Sequence, residues 1–278
     1  MEMTKREYAD KVAELIGGEV VETEKANGVK MLGIVKRNDG SNVSPTAYVD
    51  EFYRDETDVE FAAERINQLI EMNSRSSINV EDFKSWEKMK PLLRIRLYNQ
   101  NTNSDVRESA EQYGFDDLVL IPYINLTEDF DGGQGSIKVT NQLIEYWGVT
   151  PEEVIQTAKE NSKGDYTIQS MAEMIKSMMG LSKEDELPDG DAGMYVITNR
   201  KRLFGAYSVI EAREQLREMF SEGYIILPSS VHEVLVIPMD EKTTVDELTT
   251  MVQEVNETQV ALEEQLGNKA YVFGKEVA

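Results

Sequence analysis

Seven consecutive apolar residues, Leu118-Val-Leu-Ile-Pro-Tyr-Ile124, constrain this chain more than any other segment. The run is far shorter than the roughly 18 residues that make a membrane helix, and it offers no polar face to water. It reads as a buried strand, around which a core has to be assembled. The rest of the chain alternates between helical and strand periods, which gives an α+β fold class.

The periodicity predicts a helix over 3–16, ended by Gly17-Gly18, then strands over 19–24 and 30–36 turned by Asn27-Gly28. A second helix is expected over 58–72. Leu93, Ile95 and Leu97 alternate with Arg94 and Arg96, the pattern of a half-exposed strand with a cationic outer face. The stretch 128–136, rich in glycine and acid, is the expected linker. It divides an N-terminal α/β portion (1–130) from a C-terminal α+β domain (136–278) with a helical insertion at 140–180.

Two capping-box patterns, Thr150-Pro-Glu-Glu153 and Thr244-Val-Asp-Glu247, announce helices in that second half. Met171, Met174, Ile175, Met178 and Met179 recur at helical spacing and are expected to fill core. Residues 194–198 and 203–210 read as paired strands joined by the basic turn Asn199-Arg-Lys-Arg202. A helix near 211–220, strands at 224–227 and 234–237, and a closing strand at 271–273 complete a C-terminal mixed sheet with packed helices.

Charge narrows the functional classes. The formal net charge is −23, with no cysteine and one histidine, His232. Such a surface repels phosphate backbones and anionic membranes and favours partners with basic surfaces. Without cysteine there is neither a disulfide framework nor a thiolate metal site, which fits a reducing cytoplasm. The first eight residues carry no apolar core of a secretory leader. No acidic loop has the ligand spacing of a calcium site, and Gly132-Gly-Gln-Gly135 lacks a nucleotide-binding spacing, so neither metal nor cofactor is expected.

Two constellations carry candidate chemistry. In Pro228-Ser229-Ser230-Val231-His232-Glu233, the residues Ser229, Ser230, His232 and Glu233 are the ingredients of nucleophilic catalysis, though known triads assemble from distant segments. A turn closed by serine hydroxyls, with the histidine satisfied locally, accounts for the same residues. The acids form the other constellation. Asp185, Glu186, Asp189 and Asp191 crowd one loop, while Asp246, Glu247, Glu254 and Glu257 are placed for exposure on the last helix.

Several segments together carry a family resemblance: Val139-Thr-Asn-Gln-Leu-Ile-Glu-Tyr-Trp-Gly-Val149, Met194-Tyr-Val-Ile-Thr-Asn199, Tyr224-Ile-Ile-Leu-Pro-Ser-Ser-Val-His-Glu-Val234 and Glu254-Val-Asn-Glu-Thr-Gln-Val260. They resemble an uncharacterised domain-of-unknown-function family of Gram-positive gut bacteria and their mobile elements. The resemblance implies no established activity. With the acidity, it points to a non-enzymatic cytoplasmic protein that engages a basic partner and contacts neither nucleic acid nor membrane directly. A nucleic-acid-mimicking inhibitor of a host defence enzyme is one form of that reading. A hydrolase using His232 with Ser229 or Ser230 is the alternative.

Overall fold

Residues 3–36, 45–73, 80–126, 135–182, 193–228, 230–240 and 244–274 are described by a computed structural model of the chain. Helix α1 (Lys5–Ile16) starts where the Thr4 hydroxyl accepts from the Glu7 N–H and the Glu7 carboxylate accepts from the Thr4 N–H. This reciprocal pair satisfies two of the donors every helix start leaves open. Strands β1 (Glu19–Glu24) and β2 (Lys30–Val35) form an antiparallel pair. Their turn needs left-handed backbone at Asn27 (φ 58) and Gly28 (φ 72), which these two residue types tolerate best. Strand β3 (Thr46–Tyr48) adds to β2, and α2 (Asp50–Arg54) and α3 (Val59–Asn73) follow. Tyr8, Val12, Ile34, Ala62, Ile66 and Ile70 close a core between α1, α3 and this sheet.

A second sheet is built on the apolar run. After α4 (Trp86–Met89) come β4 (Leu93–Asn99), β5 (Glu108–Ser109), β6 (Leu118–Asn125) and β7 (Ser136–Lys138). Strand β6 is central, with β4 on one edge and β5 and β7 sharing the other. Helix α6 (Pro151–Ser162) packs on β4 and β6, and α5 (Asn141–Trp147) packs against the helical turn Val80–Lys84. Thr150 caps α6 by accepting from the Glu153 N–H, with Pro151 at the first helical position. At the other end of α6, the Ser162 hydroxyl accepts from the Ile95 N–H at 3.1 Å and fastens the helix to β4.

The third sheet runs β12-β10-β11-β9-β8. Its strands are β8 (Thr167–Ser170), β9 (Tyr195–Thr198), β10 (Gly223–Leu227), β11 (Val234–Pro238) and β12 (Tyr271–Gly274). Helices α7 (Met171–Met178), α8 (Ser208–Glu211), α9 (Arg213–Met219) and α10 (Val245–Thr258) belong to this part. The α+β class holds, but the sheet is antiparallel at every pairing rather than mixed. Its neighbouring strands always run in opposite senses, so none needs the helical crossover of a parallel pair.

Two other expectations are corrected. Residues 203–210 are not a strand: Gly205–Tyr207 and Ser208–Glu211 are helical turns, buried on nearly every side, and such a short apolar run has no period that separates strand from helix. The methionine stripe is mostly not core, because α7 lies at the edge strand β8 and buries Ala172, leaving Met178 86% exposed.

The apolar residues form one cluster from Tyr8 to Ile70, a larger one from Phe83 to Tyr271, and a small third one in which Leu248 and Val252 of α10 pack on Ile225, Leu227 and Ala270. The larger cluster draws on both sides of the stretch expected as a linker, of which residues 127–134 lie outside the described residues.

Candidate functional site

His232 sits in the loop between β10 and β11, half-buried. Its Nδ1 accepts from the backbone N–H of Phe204 at 3.2 Å, so the ring proton belongs on Nε2. There it faces the Glu264 Oε1 at 3.3 Å. The ring also stacks on Phe204 with centroids 5.3 Å apart, and the His232 carbonyl accepts from the Thr198 hydroxyl at 2.7 Å.

Both ring nitrogens are therefore committed. Ser230 does not address the imidazole: its hydroxyl accepts from the His232 backbone N–H at 3.1 Å, closing a local turn. The carboxylate that meets the ring is Glu264, contributed from 32 residues downstream, and not Glu233. Ser229 lies outside the described residues. A nucleophile needs a base with a free nitrogen within hydrogen-bond reach, and among the described residues the only histidine offers none.

The turn that holds His232 is tight. Phe204 has φ 51, a left-handed conformation rare for a bulky residue. Gly205 follows with its backbone against Thr198, Asn199 and the His232 carbonyl. Phe204 thus presents one ring to His232 and to a second group that the alternation pattern misplaced.

That group is Arg96. It does not face solvent from β4; it is 8% exposed, set in the corner between the rings of Tyr123 and Phe204, with its Cζ 4.0 and 4.2 Å from their centroids. One terminal nitrogen is 3.4 Å from the Tyr98 hydroxyl, and Nε is buried without a hydrogen-bond partner. No carboxylate among the described residues lies within 4.0 Å of it. Cation–π contacts of this kind contribute about 0.5–2 kcal/mol each, while an unpaired buried charge costs several kcal/mol. Burial also pushes the Tyr123 phenol up, with Arg96 and Arg94 pulling it back.

Arg96, Phe204 and His232 line a cleft of about 530 Å³ between the N-terminal sheet and the body of the protein. Lys25 and Lys138 stand at its walls, with Lys25 Nζ 4.0 Å over the Tyr48 ring and Lys138 donating to the Asn103 carbonyl at 2.8 Å. Glu24, Glu263 and Glu264 line it too. The sequence signal for Arg96 was available: the strand it pairs with is apolar at successive positions, so both faces of that ladder are covered.

The basic turn Arg200-Lys201-Arg202 is exposed and makes local contacts. Arg200 lies 3.7 Å from Asp165, and Arg202 donates to the Gln169 side chain at 2.6 Å.

The predicted acidic residues divide. Asp185, Glu186, Asp189 and Asp191 fall outside the described residues. Asp246, Glu247, Glu254 and Glu257 are all exposed on α10. At 100° per residue they fall within an arc of about 100°, on the far side of the helix from buried Leu248 and Val252. None of the four meets a cation among the described residues. By contrast, Asp50 pairs with Lys5 at 2.6 Å and Asp58 caps α3, so these two acids already have partners inside the fold.

Among the described residues no helix is long and apolar enough to cross a membrane, and no cluster of three metal-ligating side chains occurs. A comparison with protein-family models matches residues 1–275 to a family described as a family of unknown function, DUF5688. No curated protein and no solved structure matches the chain.

Proposed function

We propose, for a chain that belongs to the DUF5688 family and so takes no activity over from it, a non-enzymatic cytoplasmic interaction protein whose acidic face on α10 engages a protein with a basic surface. The observation that carries this reading is the alignment of Asp246, Glu247, Glu254 and Glu257 on the side of α10 away from Leu248 and Val252, without cation partners among the described residues. Fixed on one rigid helix in a chain of net charge −23, these carboxylates steer and orient a cationic partner without reorganising. The engagement of both His232 nitrogens supports binding over the hydrolase alternative.

The face differs from nucleic acid in one respect. Its four charges spread over about 16 Å of helix, roughly one per 5 Å, against about one per 3.4 Å along a DNA strand. Mimicry of a duplex therefore requires further carboxylates beside α10. A nucleic-acid-binding host enzyme, the partner class that a mobile-element setting implies, is the case to test first.

The test compares wild type with the combined variant Asp246→Asn, Glu247→Gln, Glu254→Gln, Glu257→Gln. Basic nucleic-acid-binding proteins are presented to each immobilised chain at low salt. The expected result is binding to wild type that is lost at moderate salt and weakened at least tenfold in the variant. Equal binding to both chains, insensitive to salt, overturns the reading.

A further inference from the structure

We propose that the cleft between the N-terminal sheet and the body of the protein is a binding site for a small-molecule oxyanion, a carboxylate or a phosphate, received by the guanidinium of Arg96. The proposal is independent of the acidic face on α10.

Arg96 is an always-charged group taken out of water at the wall of a cleft of about 530 Å³. Within the described residues its side chain meets only neutral groups, the rings of Tyr98, Tyr123 and Phe204 and one phenol oxygen at 3.4 Å, a long contact for a charged donor. A chain with 52 acids against 29 lysines and arginines has placed none of its described carboxylates on this one. The planar fork of a guanidinium matches two oxygens of one oxyanion, and its aromatic corner fixes the plane of that fork in advance.

The surroundings suit a small anion. Lys25 and Lys138 add positive charge along the walls, and the hydroxyl of Ser136 offers a neutral donor, whereas those of Thr102 and Ser104 already donate to the Asn27 side chain and the Val106 carbonyl. Glu24, Glu263 and Glu264 balance the three cations, so the site tolerates one anionic group rather than a polyanion. The backbone adds a further sign. Phe204, which forms half of the aromatic corner, is held in a left-handed conformation, and His232 accepts its N–H and stacks on its ring. Strained residues persist where surrounding contacts over-determine them, and they gather at ligand sites. His232 is on this reading a positioning residue for the Arg96 corner.

The experiment follows thermal stability of the full chain with sodium acetate, inorganic phosphate and, as control, sodium chloride at matched ionic strength. A ligand that binds only the folded chain raises the folded-to-unfolded ratio about elevenfold at ten times its Kd. Acetate or phosphate is expected to give that saturable rise and chloride none, with the more effective anion identifying the ligand as carboxylate or phosphate ester. Arg96→Met, which keeps most of the volume and removes the charge, is expected to abolish the response while retaining the fold. Should that variant fail to fold, Arg96→Lys serves, with a response weakened at least tenfold because the fork is gone. No anion-specific rise in wild type, or the same rise in the Arg96 variants, overturns the proposal.

Discussion

Gly205 has no room for a side chain. A Cβ there would press on the Thr198 hydroxyl and come within 2.6 Å of the Asn199 nitrogen and 2.7 Å of the His232 carbonyl. Backbone atoms cannot swing aside as a side-chain tip does, so Gly205→Ala should lower stability by about 1–3 kcal/mol, read as a shift in the denaturation midpoint. The same variant should disturb the His232 ring resonances, since both the carbonyl of that residue and its Phe204 partner belong to this turn. Little of this was legible in the sequence. The cluster Ser229 to Glu233 drew attention through its residue types, yet the groups that meet His232 come from Phe204 and Glu264, contacts that only the tertiary fold creates. Arg96 was misread because alternation was applied to β4 alone, when the apolar pattern of its neighbour β6 covers both faces of that ladder.

Helix ends were the most legible elements, because capping is local chemistry. Thr150 makes the expected side-chain bond and Thr4, where no cap was expected, makes one too, whereas Thr244 stands at the start of α10 without one. Thr150→Ala should therefore cost about 1 kcal/mol, and Thr244→Ala much less; the two unfolding midpoints measured side by side check the difference. The strands at β1, β2, β6, β10 and β11 also fall where periodicity puts them. Where an element is apolar all round, as at 203–210, or short and at a sheet edge, as α7 is, local pattern no longer reports its surroundings. For α7 this yields a sharp expectation. Met178→Glu should change stability by no more than about 0.5 kcal/mol, because the side chain already faces water. A strongly destabilised variant would mean that the methionine is core after all.

At the scale of the whole molecule, several tyrosines lock the large core. Burial, joined by the carboxylates of Glu211 and Asp117, pushes the phenols of Tyr207 and Tyr271 far above their usual value, and Tyr123 and Tyr224 are raised chiefly by burial. Tyr271 donates a hydrogen bond to Asp117. A group whose folded pKa is raised contributes stability that is complete below its unfolded pKa, about 10 for a phenol, and is lost as pH rises beyond it. Alkaline unfolding should thus begin above about pH 10, with phenolate absorbance from these rings appearing together with loss of helical circular dichroism. Phenolate formation in a chain that keeps its helices would contradict the burial.

One amide has a mechanical role. At the β1–β2 turn the Asn27 side chain donates to the carbonyls of Leu262 and Gln265, each at 2.8 Å, and accepts from the Thr102 hydroxyl at 3.2 Å. It works as a latch between the small core and the large one, beside a wall of the Arg96 cleft formed by Lys25 and Ala26. Asn27→Gly keeps the left-handed turn but removes these three hydrogen bonds from one wall of the cleft, so an anion's stabilising effect should weaken in that variant, read as a smaller rise in the unfolding midpoint at equal anion concentration.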